Sequence, residues 1–318
     1  MTELTIRDRI LGGLWGAVVG DALGVPVEFR SRSELRRDPV TDMRAHGTHS
    51  QPKGTWSDDT SLLLCTVDSL LRHEFDTGDM GSRFVQWGKG NLWTPWGSVF
   101  DIGGATRRAF ARIEHGAPAE QAGGKDEHSN GNGSLMRILP IALRFHREPA
   151  DRLLEYASRA SAITHGHPRS RIACGFYCLV VAGLLDGQTP EMAIRQAAAI
   201  IAPRLAVAPF SAENRHFSML LEGDLKTRPE DEIRSGGHVT DTLTAGLWCL
   251  LRSQTYSDAA LNAVNLGEDT DTTGIVAGGL AGIVYGITSI PENWRHALAR
   301  RPELENLFNQ FANLSGRA

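Results

Sequence analysis

Hydrophobic residues along this chain recur with the spacing of buried and amphipathic helices. Apolar positions three or four residues apart dominate its long segments, and strict alternation of apolar and polar residues over strand lengths is nearly absent. Short turns rich in Gly, Pro, Asn and Asp connect the segments. The pattern therefore predicts an all-α protein. The predicted helices cover residues 7–23, 57–73, 80–90, 100–114, 134–145, 150–162, 168–186, 190–203, 239–253, 257–265 and 272–286.

Two longer polar stretches, 115–133 and 204–238, interrupt the helical pattern. Neither reads as a linker between domains, and the chain has no internal repeat or low-complexity tract. A length of 318 residues with 41% hydrophobic composition is enough to bury a large core. We therefore predict a single domain over residues 1–318.

Glycine is unevenly distributed among the predicted helices. Residues 11–24 and 274–286 carry Gly and Ala at many positions, which lowers helix propensity but lets two backbones approach closely. We predict that these two helices cross in the core. Each has acidic residues at one end, so the crossing would bring those residues together.

Composition and charge narrow the possible partners. A formal charge of -4 leaves no strongly basic surface for nucleic acid or an anionic membrane. Asp21 interrupts the apolar N-terminal stretch, and the run from Ile275 to Ile287 is too short to cross a bilayer. The four cysteines lie in apolar segments without a CxxC pair, which is typical of reduced thiols. We expect a cytoplasmic monomer with no membrane partner.

Oxygen ligands cluster at the start of the glycine-rich segment, in the sequence GEDTDTTG at residues 267–274. Asp269, Asp271 and Thr273 have the spacing of the first ligands of a calcium-binding loop. The twelfth position of such a loop needs Glu, but here it is Leu280, inside an apolar run. The stretch is therefore not an EF-hand. It predicts half of a metal site that another segment must complete.

A second cluster of the same kind begins another predicted helix. Ser57, Asp58, Asp59 and Thr60 precede an apolar helical run. Helix capping is the alternative explanation, because Ser and Asp stabilise helix starts. Capping accounts for one side chain of each cluster and leaves the other carboxylates unexplained.

The two clusters together predict a site for divalent metal ions. Carboxylate and hydroxyl ligands without Cys or His favour Mg²⁺, Mn²⁺ or Ca²⁺ over zinc. Asp58, Asp59, Asp269 and Asp271 carry enough negative charge for two ions, and the hydroxyls of Ser57 and Thr272 could complete the coordination. Two such ions can position a water and bind vicinal oxygens of a substrate.

Six motifs in order along the chain resemble those of the ADP-ribosylglycohydrolase family, in particular the bacterial glycohydrolases that reactivate dinitrogenase reductase. The motifs are GDALGVPVEF (20–29), SDDT (57–60), DIGGATRR (101–108), GNGSLMR (131–137), ITHGHP (163–168) and GEDTDTTGIVAGGLAGIVYG (267–286). The resemblance implies a compact all-α domain, an orthogonal helix bundle, with a binuclear Mg²⁺ or Mn²⁺ centre. It also implies an enzyme that releases ADP-ribose from a modified protein side chain, with arginine as the favoured acceptor.

The resemblance also implies roles for individual residues. The metal ligands would be Ser57, Asp58, Asp59, Asp269, Asp271 and Thr272. Glu28, Asp59 and Asp101 become candidates for proton transfer, and the sequence does not decide among them. Taken alone, Glu28 is a solvated loop residue and Asp101 is an N-cap of the following helix.

Substrate-binding residues are implied in the same way. Asn132, Gly133, Ser134 and Met136 belong to a loop whose glycines expose backbone N–H groups that attract phosphate. His165 matches a position that contacts ADP-ribose, although alone it is a polar residue that ends a helix. His238 stands where the family often has a Tyr that stacks on adenine, so the nucleotide pocket is expected to differ there.

Three readings of the function follow. The first is hydrolysis of the bond from ribose to a side chain, with ADP-ribose as product; related sites also act on serine-linked, nucleic-acid-linked and O-acylated ADP-ribose. The second is a two-metal nucleotide phosphohydrolase, which would release AMP. The third is a non-catalytic member that binds ADP-ribose, and the presence of all four metal aspartates argues against it.

Overall fold

The computed structural model describes residues 4–90 and 92–316 and is built from α-helices. No strand is present among these residues, which contain only isolated β-bridges. The all-α prediction is confirmed. The helices are α1 (Ile6–Gly24), α2 (Arg32–Arg37), α3 (Asp58–Arg72), α4 (Thr77–Gly88), α5 (Gly104–Glu114), α6 (Ala119–Ala122), α7 (Leu139–Phe145), α8 (Ala150–Ala162), α9 (Pro168–Leu185), α10 (Pro190–Leu205), α11 (Ser218–Leu221), α12 (Val239–Leu251), α13 (Tyr256–Asn265), α14 (Thr270–Tyr285), α15 (Glu292–Ala297) and α16 (Arg301–Ser315).

Helices α1 and α14 pack antiparallel through their glycines at the centre of the core. A Cβ placed on Gly20 would lie 2.0 Å from the carbonyl oxygen of Gly274, and one on Gly12 would lie 2.1 Å from that of Gly282. Any larger residue at these positions would force the backbones apart. The predicted crossing is confirmed, and it places the C-terminal end of α1 beside the N-terminal end of α14.

The remaining helices surround this pair. The buried apolar side chains form one cluster, to which all the long helices contribute. The spans Ile6–Val27 and Pro168–Leu185 are long and apolar enough to cross a membrane. However, 100% of the most apolar stretch of the first span and 83% of that of the second are buried inside the protein. Burial by neighbouring helices accounts for their apolar composition.

Several predicted helix boundaries differ from the observed ones. Helix α5 begins at Gly104, with Gly103 as its N-cap, so the prediction that Asp101 caps this helix is wrong. Helix α7 begins at Leu139, because Asn132–Ile138 instead forms tight turns closed by bonds such as Leu135 N–H to Asn132 O (2.7 Å). The C-terminal helices α15 and α16 were not predicted.

Candidate functional site

The two predicted ligand clusters meet at the N-terminal ends of two helices. Asp58 and Asp59 lie in the first turn of α3, and Asp269 and Asp271 lie at the start of α14. An open cavity of about 320 Å³ adjoins both helix ends. Its lining residues include Glu28, Asp58, Asp59, Asp101, Asn132, Gly133, Met136, His165, Asp269 and Thr272. Residues separated by up to 244 positions in the sequence therefore share one surface.

Glu28 is the residue that connects the acidic side chains. Its carboxylate lies within 4.8 Å of ligand atoms of Asp269 and Asp271, and also within 4.8 Å of those of His49 and Asp101. Its side chain is held by the His49 imidazole, and its backbone carbonyl accepts a hydrogen bond from Thr48 Oγ1 (2.7 Å). Glu28 is 5% exposed, so it is a buried member of the site and not the solvated loop residue that the isolated sequence suggested.

A buried carboxylate on α1 fixes the start of α3. Asp21 Oδ2 accepts hydrogen bonds from the backbone N–H groups of Ser57 (3.1 Å) and Thr60 (3.0 Å). The N-terminal N–H groups of a helix lack partners within the helix, so an external carboxylate satisfies them. Asp21 thereby positions Asp58 and Asp59. The sequence analysis did not assign this role, although Asp21 is the one charged residue in the apolar stretch 10–24.

The electrostatics of the cluster are dominated by uncompensated negative charge. Burial raises the pKa of Asp58, Asp59 and Asp271 well above the usual range, and neighbouring carboxylates raise it further. Burial likewise raises the pKa of Glu28 to about 7. Within the described parts of the chain, none of these carboxylates forms an ion pair with Lys or Arg. Such a cluster is stable only with bound protons or cations.

The ligand set fits a hard divalent cation. The buried Oδ2 of Asp59 has no hydrogen-bond partner among the described residues, which is costly for a carboxylate oxygen unless a cation binds it. Oxygen atoms of Glu28, Asp269 and Asp271 converge within 4.8 Å. Oxygen ligands of this kind suit Mg²⁺, Mn²⁺ or Ca²⁺. The residues present can therefore hold a metal.

The loop around Asn132 and Gly133 forms the adjoining wall of the cavity. The Asn132 side-chain amide donates hydrogen bonds to Asp269 Oδ2 and to Thr242 Oγ1, both at 2.8 Å. Its backbone N–H donates to the Gly237 carbonyl (3.1 Å). A Cβ on Gly133 would lie 2.7 Å from the His165 ring, so glycine is required there. These contacts fix the loop directly against the acidic cluster.

Four predicted site residues do not line the cavity. Ser57 caps α3, its Oγ accepting from the Asp59 N–H (3.2 Å), and Asp271 lies beneath the surface in contact distance of Glu28. The buried Ser134 hydroxyl accepts from Ser161 Oγ (2.9 Å), so a substrate contact from Ser134 would come from its backbone. His238 is exposed and pairs with Asn130 Oδ1 (2.9 Å). Its predicted contact with adenine stays a prediction.

The cavity also contains residues that sequence analysis did not assign. Arg108 and Thr106 of α5 line it, as does the exposed aromatic ring of Phe29. His49, which holds Glu28, packs between two aromatic rings in tilted arrangements, with centroid distances of 6.0 Å to Phe29 and 5.3 Å to Phe100. Arg108 belongs to the DIGGATRR motif, but no local pattern distinguished it from a solvated helix residue.

Comparison with known proteins gives consistent similarities over nearly the whole chain. The sequence profile of the family described as ADP-ribosylglycohydrolase matches residues 2–318. The chain is 31% identical to the ADP-ribosylarginine hydrolase Tri1 of Serratia proteamaculans, over 96% of this chain and 79% of that protein. It is 30% identical to the ADP-ribosyl-[dinitrogen reductase] glycohydrolase of Rhodospirillum rubrum, over 96% and 95% of the two chains.

A solved structure supports the same conclusion. A chain of an ADP-ribosylglycohydrolase-related protein complex superposes with a TM-score of 0.82 at 34% identity. The match covers 98% of this chain and 99% of that one. The similarity therefore extends through the helices that form the cavity and is not confined to a few motifs.

Proposed function

This chain belongs to the ADP-ribosylglycohydrolase family, and we propose that it hydrolyses the bond between ADP-ribose and a modified arginine side chain, using two divalent cations, Mg²⁺ or Mn²⁺. One observation carries the proposal. A buried acidic cluster, with which no described Lys or Arg forms an ion pair, lies in the same cavity as a loop suited to bind a nucleotide.

The metal ligands we propose are Ser57, Asp58, Asp59, Asp269, Asp271 and Thr272. Support comes from the converging carboxylates, from the unpaired Asp59 Oδ2 and from the absence, among the described residues, of any Lys or Arg ion pair to these carboxylates. When bound, the ions supply Lewis acidity and positive charge at the reacting ribose. The protein contributes the rigidity of the site, since α3 is tied to Asp21 and α14 to the glycines of α1.

Three carboxylates remain candidates for proton transfer, and we propose Glu28 as the first of them. Burial raises the pKa of Glu28 to about 7 in the metal-free site, and bound cations would lower it toward the ionised form that a general base needs at neutral pH. Its hydrogen bond to His49 fixes the orientation of the carboxylate. Asp101 and Asp59 line the same cavity, and Asp101 lies within 4.8 Å of Glu28.

The nucleotide part of the substrate is proposed to occupy the wall formed by Asn132, Gly133 and Met136. Asn132 contacts Asp269, so this wall begins where the acidic cluster ends. Arg108 at the cavity edge would supply positive charge to the diphosphate. His165 and His238 are the further proposed substrate contacts.

The acceptor is proposed to lie beyond Glu28, on the side of His49 and Asp101. Phe29 is 67% exposed and lines the cavity there. An aromatic face beside carboxylates favours a guanidinium group, which combines cation–π attraction with ion pairing. Two relatives whose names specify arginine or dinitrogen reductase support the same choice.

The test is an assay of product release. The enzyme is incubated with Mg²⁺ or Mn²⁺ and with two proteins, one carrying arginine-linked and one carrying serine-linked ADP-ribose. We expect free ADP-ribose from the arginine-linked protein and none after chelation of the metal. Mass spectrometry of the product separates the alternatives, because a phosphohydrolase would release AMP.

The two substrates also test the acceptor. Release from the serine-linked protein alone would contradict the arginine assignment and leave the hydrolase assignment intact. The variant Phe29→Ala should raise KM for the arginine-linked protein more than Kd for free ADP-ribose. Equal changes in both values would argue against an acceptor contact at Phe29.

A further inference from the structure

His165 reaches the cavity with only one edge of its imidazole ring. The residue is 2% exposed, and its ring packs against the backbone of the nucleotide loop. A Cβ on Gly131 would lie 3.5 Å from Nε2, and one on Gly133 would lie 3.3 Å from the same atom. Nε2 has no protein partner among the described residues, and His165 lines the cavity. The unpartnered ring nitrogen is therefore the one available to a ligand.

The other ring nitrogen, Nδ1, lies 2.9 Å from the hydroxyl oxygen of Thr164. That oxygen also accepts a hydrogen bond from Arg137 Nη2 at 2.9 Å. Thr164 is fully buried, and its hydroxyl contacts no third partner within the described residues. A hydroxyl has one proton to donate, and a guanidinium accepts no hydrogen bond. The Thr164 proton can therefore be satisfied only by Nδ1 of His165.

Arg137 is held rigidly enough to enforce this direction. Its side chain is fully buried, donates to the Ala160 carbonyl (3.1 Å) and lies over the Phe84 ring at 4.5 Å. Burial lowers the pKa of Arg137 to about 10, so the guanidinium stays protonated at neutral pH. Burial and the charge of Arg137 together lower the pKa of His165 to about 3, so the imidazole is neutral. A neutral imidazole carries one proton, and with Nδ1 as acceptor that proton is on Nε2.

We propose that Arg137 and Thr164 are positioning residues that hold His165 in the tautomer with its proton on Nε2, so that the imidazole donates a hydrogen bond into the nucleotide part of the cavity. The inference rests on the proposed function for the identity of the ligand, a phosphate or ribose oxygen of ADP-ribose. The opposite tautomer would present a lone pair to these oxygens and repel a phosphate. The chain of donors, from Arg137 to Thr164 to His165, thus selects an acceptor atom on the ligand.

The first experiment observes the tautomer directly in the free enzyme. Long-range proton–nitrogen correlation spectra of protein labelled with ¹⁵N-histidine separate a protonated from an unprotonated ring nitrogen. The variant His165→Gln identifies the signals of this residue among the 11 histidines. We expect a protonated Nε2 and an unprotonated Nδ1 throughout pH 6–8. A proton on Nδ1, or a mixture of tautomers, would overturn the proposal.

The second experiment tests Thr164 as the residue that sets the tautomer. Thr164→Val keeps the shape and removes the hydroxyl, whereas Thr164→Ser keeps the hydroxyl. The Val variant should show mixed tautomers and bind ADP-ribose about tenfold more weakly by calorimetry, and the Ser variant should stay within about twofold of wild type. A Val variant with the wild-type tautomer would refute the role of Thr164. If the Val variant fails to fold, the wild-type spectrum and the Ser variant still decide the outcome.

These readouts are separate from hydrolysis. An enzyme that shows the expected tautomer and binds ADP-ribose but releases nothing from the arginine-linked protein would contradict the proposed function alone. An active enzyme with a protonated Nδ1 would contradict the inference about Arg137 and Thr164 alone.

Discussion

Two groups of side chains in this molecule have the composition and spacing of a metal site, and they balance their charge in opposite ways. In the cavity, ligand atoms of Glu28, Asp269 and Asp271 lie within 4.8 Å of one another. Those of Glu127, His167 and Glu213 do the same at a second place. The distances between potential ligand atoms therefore do not distinguish the cavity group from the second group.

The difference is a guanidinium group. Arg169 is buried in the second group and donates to Glu213 (2.7 Å) and to Glu127 (2.9 Å). Its hydrogen bond lowers the pKa of Glu127, whereas burial raises the pKa of Asp271 in the cavity. The second group already contains its cation as a side chain. Among the described residues no Lys or Arg forms an ion pair with the cavity carboxylates, and this favours a cation taken up from solution.

The largest expected effect comes from removing charge in the cavity. Asp58→Asn and Asp271→Asn should each lower kcat/KM by ~10³-fold, because the remaining ligands hold the metal poorly. The same substitutions should raise the melting temperature of the metal-free protein, since each removes a buried charge from a repulsive cluster. Activity assays check the expected decrease in kcat/KM, and calorimetry checks the expected increase in melting temperature.

Glu127→Gln is the matched control, since it removes a carboxylate from the second group. It should keep wild-type activity. Retained activity in Asp58→Asn would contradict the metal assignment, and a large loss in Glu127→Gln would show that the second group contributes to catalysis.

The next effect concerns Arg169. Arg169→Met should lower the free energy of unfolding by ~3–5 kcal/mol, because it leaves Glu213 buried without a partner. The double variant with Glu213→Gln should recover much of this loss. Denaturant titration measures the free energy of unfolding of the single variant and of the double variant. A double variant no more stable than Arg169→Met would show that the pairing with Glu213 is not what stabilises this region.

Added metal should stabilise the folded protein by binding to the carboxylates of the cavity and not to the second group. At a free Mg²⁺ or Mn²⁺ concentration of 100 times Kd, occupation of one site stabilises the folded protein by ~2.7 kcal/mol. Thermal unfolding with and without chelator should show this shift in wild type and in Glu127→Gln. The shift should disappear in Asp271→Asn, and its persistence there would place the metal elsewhere.

The smallest effect is expected for the stability of Glu127→Gln itself. The Glu127 side chain is 62% exposed, so its ion pair with Arg169 is screened by solvent. Arg169 also keeps its partner Glu213. The melting temperature should match that of wild type within experimental scatter. A clear decrease would mean that Glu127 shares the structural role of Glu213.

Much of the fold and half of the site were predictable because their causes are local. The spacing of apolar residues predicts the long helices, and glycine at every fourth position predicts the close contact of α1 with α14. The clusters SDDT and GEDTDTT stand at helix starts, and both are found there. The resemblance to a known family added Glu28, Asp101 and the Asn132 loop, which local chemistry alone does not single out.

The contacts that were missed connect distant segments. Asp21 accepts from Ser57 across 36 residues, and His49 meets Glu28 through a loop with no regular pattern. The prediction that Asp101 caps α5 is wrong because the N-cap is Gly103, two residues later in the chain. Hydrogen bonds of this kind depend on where helices cross, and residue spacing does not encode that.

By itself, the sequence determined that the protein is helical, where its carboxylates stand and which two helices can approach closely, since these follow from side-chain periodicity and from the absence of Cβ atoms. Only the tertiary structure decided which carboxylates keep their charge uncompensated. Glu213 and Asp271 are both buried acids, but Arg169 lies beside one and no described basic residue pairs with the other. Charge compensation depends on distances of a few ångströms between remote residues, and packing sets those distances.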